Sequence, residues 1–275
     1  FEPSTNVAKI AVESGIPTID DFFNPQNAKK LENFIGKTDV ICASNVICHI
    51  PDLTELIKTI DLLLSSDGTF IFEEPYIGSM FEKVSYDQIY DEHIFIFSAT
   101  AIKNIFKLYD FELVDVLPQI THGGSMRYVI KRKNKLSFTR NVKNILEYEK
   151  KENIDNISSC LKFKKNCENS KMNTKSKIMQ IKNNGKKICG YAATSKSTTI
   201  LNYCGIGSEH IEYICDTTKE KIGKFSPGMH IPIKDMDYFY KNQPDSIYLF
   251  AWNHKDEIFE KEKNFKGEWF SHVSL

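Results

Sequence analysis

The clearest structural pattern in this 275-residue chain is Lys187-Ile188-Cys189-Gly190-Tyr191-Ala192-Ala193-Thr194-Ser195-Lys196-Ser197-Thr198-Thr199. Its first five residues predict a strand, the small and hydroxyl residues predict a turn, and a helix follows to about Cys204. Residues 211–216 predict a second strand that ends in an acid, and residues 244–250 predict a later one. This order is typical of a nucleotide-binding βαβ unit, although the turn lacks the glycines of G-x-G-x-x-G.

The residues before this unit also alternate between helical and strand patterns. Helices are predicted at 5–14, 26–35, 53–64 and 98–107, with Ser98 as an N-cap, and strands at 16–19, 38–44, 69–73, 111–117 and 125–131. The run 38–44 is almost continuously apolar, which is typical of a strand covered on both faces. The alternation predicts an α/β fold with a parallel sheet, and the last two strands predict a hairpin at one edge.

Residues 131–187 differ in composition from the segments on either side. They hold 17 Lys or Arg residues against 5 Asp or Glu, and they show helical periodicity. We expect one or two linking helices here. The excess of positive charge fits either a surface near a polyanionic ligand or a solvated helix face.

The overall composition narrows the class of partner and the compartment. The 36 basic and 36 acidic residues cancel, so we expect no nucleic-acid and no membrane partner. Seven scattered cysteines without a C-x-x-C pair predict reduced thiols in a cytoplasmic protein. No apolar run reaches the roughly 18 residues of a membrane span, and no signal peptide is visible. The chain begins at Phe1 rather than Met, which predicts a fragment that lacks an upstream part.

The segment 86–95 is the richest in groups for acid–base chemistry. Tyr90, Glu92 and His93 offer a phenol, a carboxylate and an imidazole within four residues. A polar loop with one surface histidine is the alternative interpretation. His49 follows a predicted strand, at the sheet edge where ligands of open α/β sheets bind, and a helix-capping or packing histidine is the alternative there.

Two further places carry candidate ligand groups. His122 precedes Gly123 and Gly124, a pair that predicts close backbone approach to a ligand or to a neighbouring strand. Arg127 follows in the next strand, where it would meet a phosphate or only an edge carboxylate. Lys196 lies at a predicted helix N-terminus, which either holds an anion or is an ordinary capped helix start.

Eight motifs together resemble one enzyme family, and they run in the family's order over nearly the whole chain. They are EPSTNVA (2–8), NVICHIPDL (45–53), EEPYIGSMFE (73–82), DQIYDEH (87–93), HGGSMR (122–127), GYAATSKSTTILNYCGI (190–206), KFSPGMHIPI (224–233) and LFAWNH (249–254). The chain resembles the SAM-dependent C-methyltransferases of deoxysugar biosynthesis, which act on nucleotide-linked keto-sugars.

The resemblance implies a domain organisation. Residues 1–131 would form an incomplete class I methyltransferase (Rossmann-like) sheet without its first strand and glycine-rich loop. Residues 132–186 would form the Lys-rich helical linker, and residues 187–275 a second, C-terminal Rossmann-like α/β domain. The family also carries an N-terminal zinc-binding domain, so zinc is expected only if that domain exists in the full protein.

The resemblance also assigns residues to the cofactor S-adenosyl-L-methionine (SAM). An acid at the end of the second strand of this fold accepts hydrogen bonds from the ribose hydroxyls, and Glu2 holds that position. Asp21 and Phe22 follow the next strand, where adenine is contacted, and Phe22 is equally suited to the core. Asn45 and Val46 end the strand beside the cofactor.

The catalytic assignment follows from the same resemblance. His93 is expected to remove the proton α to the ketone, Tyr90 to donate a hydrogen bond to the keto oxygen, and Glu92 to orient His93 or contact the sugar. His49 is expected near the sugar. The nucleotide-sugar substrate would meet His122, Arg127 and Lys196.

Two other functions remain open at this level. One is an O- or N-methyltransferase on a related sugar, in which the same histidine base serves. The other is a non-catalytic fragment that binds a nucleotide sugar.

Overall fold

The computed structural model describes residues 1–133 and 138–275, so residues 134–137 of the predicted linker lie outside the described residues. The chain divides into two compact units, and each unit is built from separate chain segments. The first unit comprises Phe1–Tyr76, Ile94–Gln119 and Ser125–Glu152. The second unit comprises Ile77–His93, Ile120–Gly124 and Asn153–Leu275.

In the part of the first unit that the structure describes, the sheet has four strands in the order β1-β2-β4-β3. Strands β1 (Thr38–Ser44) and β2 (Leu64–Pro75) are parallel, whereas β4 (Ser125–Arg132) is antiparallel to both β2 and β3 (Phe111–Gln119). The predicted hairpin of the last two strands is therefore confirmed.

The described residues of the first unit form the helices α1 (Thr5–Glu13), α2 (Pro25–Ala28), α3 (Leu53–Leu63), α5 (Ala99–Lys107) and α6 (Arg140–Lys151). The apolar faces of α3, α5 and α6 form one core with the sheet, and its most deeply buried members include Ile60, Phe72 and Tyr128. Phe72 on β2 and Tyr128 on β4 are directly opposite each other, and their rings stack with centroids 4.9 Å apart.

The start of α5 shows how a long-range contact completes a local signal. The predicted N-cap Ser98 accepts a hydrogen bond from the Ala101 amide at 3.0 Å. The first two amides of the helix, those of Ala99 and Thr100, donate to the carboxylate of Glu149 on α6 at 2.7 and 2.8 Å. Because the N-terminal amides of a helix have no partner inside the helix, this buried carboxylate closes the end that the N-cap leaves open.

The structure corrects two predictions near the N-terminus. Residues 16–19, predicted as a strand, have no regular secondary structure. Residues 26–35, predicted as one amphipathic helix, form the short helix α2 and a separate 3-10 turn at Glu32–Phe34. The segment has the apolar spacing of a helix, but only its residues 26–28 belong to α2.

The sheet itself brings two further corrections. The Ser-Ser-Asp-Gly sequence of residues 65–68 predicts a turn, but these residues belong to β2, which begins at Leu64. Strand β1 was expected to be covered on both faces, yet none of its residues is fully buried and Val40 is 52% exposed. Among the described residues β1 pairs only with β2 and forms an edge of the sheet, and an edge strand retains exposed side chains and unpaired backbone groups.

The second unit contains a five-stranded sheet in the order β7-β6-β5-β8-β9, and every neighbouring pair is parallel. The strands are β5 (Ile188–Tyr191), β6 (Ile214–Cys215), β7 (Ile233–Lys234), β8 (Ser246–Leu249) and β9 (Glu268–Phe270). Strand β6 is shorter than the predicted 211–216. An all-parallel sheet with helical crossovers is the Rossmann-like arrangement that the sequence predicts.

The helices of this unit are α4 (Ile77–Lys83), α7 (Ile157–Asn183), α8 (Ser195–Cys204), α9 (Met236–Lys241) and α10 (Lys255–Lys261). Helix α8 ends at Cys204, where the sequence predicts its end. The Thr194 side chain caps it by accepting from the Ser197 amide at 3.1 Å, and Gly205 ends it in the left-handed conformation.

The α/β fold class is thus confirmed for both units. Helices α6 and α7 confirm that the Lys-rich region is largely helical. No helix within residues 1–133 or 138–275 is both long enough and apolar enough to cross a membrane.

Candidate functional site

The acid–base segment lies in the second unit, at the end of a 3-10 turn formed by Tyr86–Gln88. The His93 amide donates to the Tyr90 carbonyl at 2.9 Å, which folds the segment back on itself. The Tyr90 and His93 rings consequently lie with centroids 4.0 Å apart. Both side chains are half-buried, whereas Glu92 is exposed.

One hydrogen bond defines the protonation pattern of His93. Its Nδ1 lies 2.8 Å from the backbone carbonyl oxygen of Gln88. A carbonyl oxygen only accepts hydrogen bonds, so Nδ1 carries the proton. In the neutral imidazole Nε2 then holds the lone pair, which is the state required of a general base.

A buried carboxylate lies beneath this segment. Asp87 has no solvent exposure, and its Oδ2 accepts a hydrogen bond from Trp252 Nε1 at 2.7 Å. Its Oδ1 lies 3.2 Å from Nε2 of His272, whose side chain is also fully buried. Within the described chain neither of these last two atoms has a well-directed hydrogen bond, and their contact is ionic only when the His272 ring is protonated.

The charge on Asp87 is stabilised by its neighbours. Burial raises the pKa of Asp87, but the contacts with His272, the charge of Lys196 and the Trp252 hydrogen bond together lower this pKa below its ordinary 3.8. Asp87 is therefore ionised at neutral pH, although ionised carboxylates are rarely buried without partners.

The predicted phosphate ligand Lys196 is itself buried, with 8% exposure. Its Nζ lies 3.4 Å from Asn253 Oδ1 and 5.4 Å from the centre of the Trp252 ring. Burial lowers the pKa of Lys196 below its ordinary 10.5, and the carboxylate of Asp87 opposes part of that shift. The charge of the lysine thus interacts with the buried carboxylate of Asp87, which also contacts His272.

The glycine pair after His122 approaches side chains. At Gly123 (φ 83°) a Cβ would overlap the Trp252 ring, and at Gly124 (φ 132°) it would lie 2.5 Å from Ser79 Cβ. The sequence left open a ligand or a neighbouring strand as the reason for these glycines, and the structure shows side chains instead. His122 itself has a left-handed backbone (φ 51°) and is half-buried.

A wide cleft of about 1310 Å³ opens within the second unit. One wall is the polar face of α7, which includes Asn166, Asn169 and Asn173, and the others are the loop with His122 and the residues after β8 and β9. Trp252 and His272 line the cleft at its inner side. The carboxyl ends of parallel strands are where open α/β sheets bind ligands.

The turn after β5 is held by an acid, as the sequence pattern suggests, but through the protein's own backbone. Asp216 at the end of β6 accepts hydrogen bonds from the Ala193 and Thr218 amides, both at 2.7 Å. Lys221 donates to the Ala193 carbonyl at 2.8 Å. This bracing holds Ala192 in a left-handed conformation with φ 75°.

Three of the residues predicted for SAM lie at the N-terminal end of the first unit. The Glu2 amide donates to the Ile19 carbonyl at 3.0 Å, which brings Glu2 close to the segment that carries Asp21 and Phe22. One oxygen of Glu2 accepts from the Ser4 amide at 2.8 Å. Phe22 is 66% exposed, so the alternative that it is a core residue is wrong. Asp21 pairs with Lys30 at 3.0 Å.

Asn45, Val46 and His49 lie just beyond β1. Asn45 has φ 53°, and its side-chain Oδ1 is buried without a hydrogen-bond partner among the described residues. The Val46 amide donates to the buried carboxylate of Glu74 at 2.9 Å, and the Ile47 amide donates to the same oxygen. Burial raises the pKa of Glu74, and these hydrogen bonds oppose the shift. His49 ends the 3-10 turn Ile47–His49 and is half-buried.

Arg127 lies on β4 of the first unit, opposite Glu73 on β2. Its guanidinium nitrogens Nη2 and Nε lie 2.9 and 3.2 Å from Glu73 Oε2. The arginine therefore meets a carboxylate of its own sheet, which is the second of the two partners that the sequence allowed.

The structure thus brings Tyr90 and His93 together and places Lys196 and His122 in the same unit as these two. Sequence reasoning missed the buried trio Asp87, Trp252 and His272. Asp87 and Trp252 fall in quoted motifs, DQIYDEH and LFAWNH, so two of the three had a signal. His272, three residues from the last residue of the chain, had none.

Two different family profiles match two parts of this chain. Residues 120–273 match the profile of the family described as the C-methyltransferase C-terminal domain, and residues 1–116 match a methyltransferase domain. The first of these matches covers more than half of the chain. The protein therefore belongs to the C-methyltransferase C-terminal domain family.

One curated relative and one solved structure give further comparisons. The chain is 28% identical over 265 residues to C-methyltransferase NovU from Streptomyces niveus. The aligned region covers 96% of this chain, but this chain spans only 63% of that relative's length. A SAM-dependent methyltransferase from Anabaena variabilis ATCC 29413 superimposes with a TM-score of 0.34 at 20% identity. This superposition covers 46% of this chain and 65% of that one.

Proposed function

We propose that this protein is a SAM-dependent C-methyltransferase that acts on a nucleotide-linked keto-deoxysugar. The observation that carries the proposal is the match of residues 120–273 to the C-methyltransferase C-terminal domain, together with the similarity to C-methyltransferase NovU along 96% of the chain. The sugar part of the proposal rests on the eight ordered motifs.

The first unit offers groups that suit SAM. Glu2 supplies a carboxylate for the ribose hydroxyls, Phe22 an exposed ring for adenine, and Asp21 an adjacent acceptor. The buried Oδ1 of Asn45 lacks a hydrogen-bond partner among the described residues, and it supports the fit because a buried acceptor is costly unless a donor reaches it. Val46 would adjoin Asn45 at this site. When bound, SAM supplies an electrophilic methyl group.

His93 is the proposed base. Since Nδ1 is bound to the Gln88 carbonyl, Nε2 is the nitrogen that takes the proton from the carbon α to the ketone. Tyr90 donates a hydrogen bond to the enolate oxygen that forms, which stabilises the negative charge where it develops. Glu92 and His49 contact the sugar in this proposal.

The nucleotide portion of the substrate is assigned to the second unit. Lys196 near the N-terminus of α8 favours a diphosphate, because helix amides and a cation both attract anions. His122 lines the polar cleft of this unit. Arg127 ranks lower as a ligand, since Glu73 already neutralises it.

Proton abstraction can be tested separately from methyl transfer. The chain is incubated in D2O with a dTDP- or GDP-linked keto-deoxysugar, without SAM, and deuterium uptake at the α-carbon is followed by mass spectrometry. We expect exchange that falls at least about 100-fold in His93→Asn, the usual contribution of a general base. His230→Asn, an exposed histidine of the second unit at φ 51°, where asparagine is tolerated, is the matched control.

Methyl transfer is then followed with SAM labelled by 13C in the methyl group. A new carbon–carbon coupling in the product supports the proposal. Label on oxygen or nitrogen without α-exchange would mean an O- or N-methyltransferase. Binding of the nucleotide sugar without binding of SAM, measured by isothermal titration, would mean a non-catalytic binding protein.

A further inference from the structure

The segment before the proposed base is buried to an unusual degree for its composition. Ser85, Asp87 and Gln88 are polar, yet each is at most 1% exposed, and Tyr86 is 4% exposed. The following residues, Tyr90 to His93, are exposed or half-buried. A buried polar turn therefore carries an accessible acid–base segment, and every polar group in such a turn needs a partner.

The partners of Asp87 come from two other parts of the second unit. Trp252 donates from Nε1 to one carboxylate oxygen at 2.7 Å, and His272 Nε2 lies 3.2 Å from the other. The buried ammonium of Lys196 adds a favourable charge. Trp252 follows β8, His272 follows β9, and Lys196 lies in the first turn of α8. The carboxylate of Asp87 therefore connects the turn to two strand ends and one helix of the second unit.

The residues on either side of Asp87 are fixed as well. The Tyr86 hydroxyl lies 3.5 Å from Cys204 Sγ on α8, and its ring contacts the His272 ring at a centroid distance of 5.1 Å. The Gln88 side-chain amide donates to Ser85 Oγ at 3.1 Å. Thr199 Oγ1 on α8 donates to the Ile89 carbonyl at 3.5 Å. The turn therefore has little freedom to rotate its peptide groups.

One of those peptide groups acts on His93. The carbonyl of Gln88, the residue next to Asp87, is the acceptor for the Nδ1 proton. This carbonyl lies in the peptide plane that joins Gln88 to Ile89. The contacts of Asp87 and of the Gln88 side chain restrain the residues before that plane, and the contact of Thr199 with the Ile89 carbonyl restrains the residue after it. A rotation of the turn would move the Gln88 carbonyl away from Nδ1, and the tautomer with the proton on Nε2 would then become populated.

We propose that Asp87 is the positioning residue of His93, and that it holds the Gln88 carbonyl against Nδ1 so that Nδ1 carries the ring proton and Nε2 holds the basic lone pair. The catalytic part of this inference rests on the proposed function of His93. Its structural part, the tautomer of the imidazole, does not depend on that function.

Nuclear magnetic resonance of the histidine rings tests the structural part directly. In the 15N-labelled protein without substrate, long-range 1H–15N correlations report which ring nitrogen carries the proton, and His93→Asn assigns the signals. We expect the neutral His93 ring to be protonated at Nδ1 in the natural protein. In Asp87→Asn, the Nε2-protonated form should rise to at least about one third of the neutral ring, because an amide donor replaces one of the two carboxylate oxygens that face Trp252 Nε1 and His272 Nε2.

The matched control is Asp91→Asn, the same change at an exposed residue of the same segment. It should leave the tautomer as it is in the natural protein. Trp252→Phe removes a single donor to Asp87 and keeps an aromatic ring, so it serves where Asp87→Asn fails to fold. Circular dichroism and thermal unfolding establish that each variant is folded before its spectrum is compared.

Exchange of the α-proton provides the second readout. Asp87→Asn should slow it about 10- to 100-fold with a smaller change in KM, the usual effect of misplacing a reacting group by about 1 Å. A folded Asp87→Asn and a folded Trp252→Phe that both keep the Nδ1-protonated ring would overturn the proposal. A changed tautomer without any effect on exchange would leave the positioning intact and instead contradict His93 as the base.

Discussion

Substitution of Gly123 by alanine probes the packing on which the buried trio depends. A Cβ at this position overlaps the Trp252 ring, and the backbone has φ 83°. Because Trp252 Nε1 is bound to Asp87, the indole has no free direction in which to move. Either the backbone around Gly123 shifts or the hydrogen bond to Asp87 is lost.

The magnitude follows from these contacts. A left-handed backbone costs an alanine about 1–2 kcal/mol relative to glycine, and overpacking adds about 1–3 kcal/mol. Loss of a hydrogen bond to a charged group adds about 1.5–3 kcal/mol where the indole is displaced. Since the last two are alternative responses to the same overlap, we expect Gly123→Ala to lower the free energy of unfolding by about 2–5 kcal/mol.

Gly223 provides a matched control within the same unit. It has φ 81°, and a Cβ there meets nothing within 4 Å. Gly223→Ala should therefore show the backbone cost alone, about 1–2 kcal/mol. Urea unfolding followed by tryptophan fluorescence measures the free energy of unfolding of both variants. Trp252, which Gly123 contacts, reports the loss of the packed structure. Equal losses within about 0.5 kcal/mol would refute the steric argument.

Two further predictions concern buried carboxylates. Glu149→Ala should lower the free energy of unfolding by about 3–5 kcal/mol, because the first amides of α5 are left without an acceptor; Glu147→Ala, an exposed acid on the same helix, should change it by less than about 0.5 kcal/mol in the same urea assay. The lowered pKa of Asp87 means that its ionised form stabilises the fold above its unfolded-state pKa and that this stability is lost as the pH falls through the folded-state pKa. Asp87→Asn should therefore flatten the fall in unfolding free energy below about pH 4, whereas Asp91→Asn should not, and unfolding curves between about pH 3 and pH 6 distinguish them.

Elements with local signals were predicted well. Helix α5 begins after Ser98, and α8 ends at the predicted Cys204, because the signals for these helix ends lie close together in sequence. The β3–β4 hairpin likewise followed from the lack of a helix between two strand patterns.

Elements whose structure depends on distant neighbours were not predicted. The run at 38–44 has the composition of a buried strand, but burial is decided by what pairs with it, and among the described residues only β2 does. At 26–35 the helical pattern is broken into two short turns that local propensity alone does not reveal.

The candidate site shows the same limit. The segment of Tyr90, Glu92 and His93 was visible because several reactive residue types cluster within four positions. Asp87 was not distinguished, because its partner Trp252 lies 165 residues further along the chain. No periodicity links two such residues, and only the folded chain shows that they meet.

The discontinuous build of the second unit has a consequence for exchanging domains between relatives by recombination. The segment Ile77–His93 belongs to this unit but precedes the main stretch, Asn153–Leu275, by some 60 residues. A crossover placed between them, even at the start of the family profile at residue 120, inherits Trp252 and His272 from one parent and Asp87 from the other. A functional chimera therefore requires parents that agree at these three positions, or two crossovers that move Ile77–His93 together with the C-terminal part.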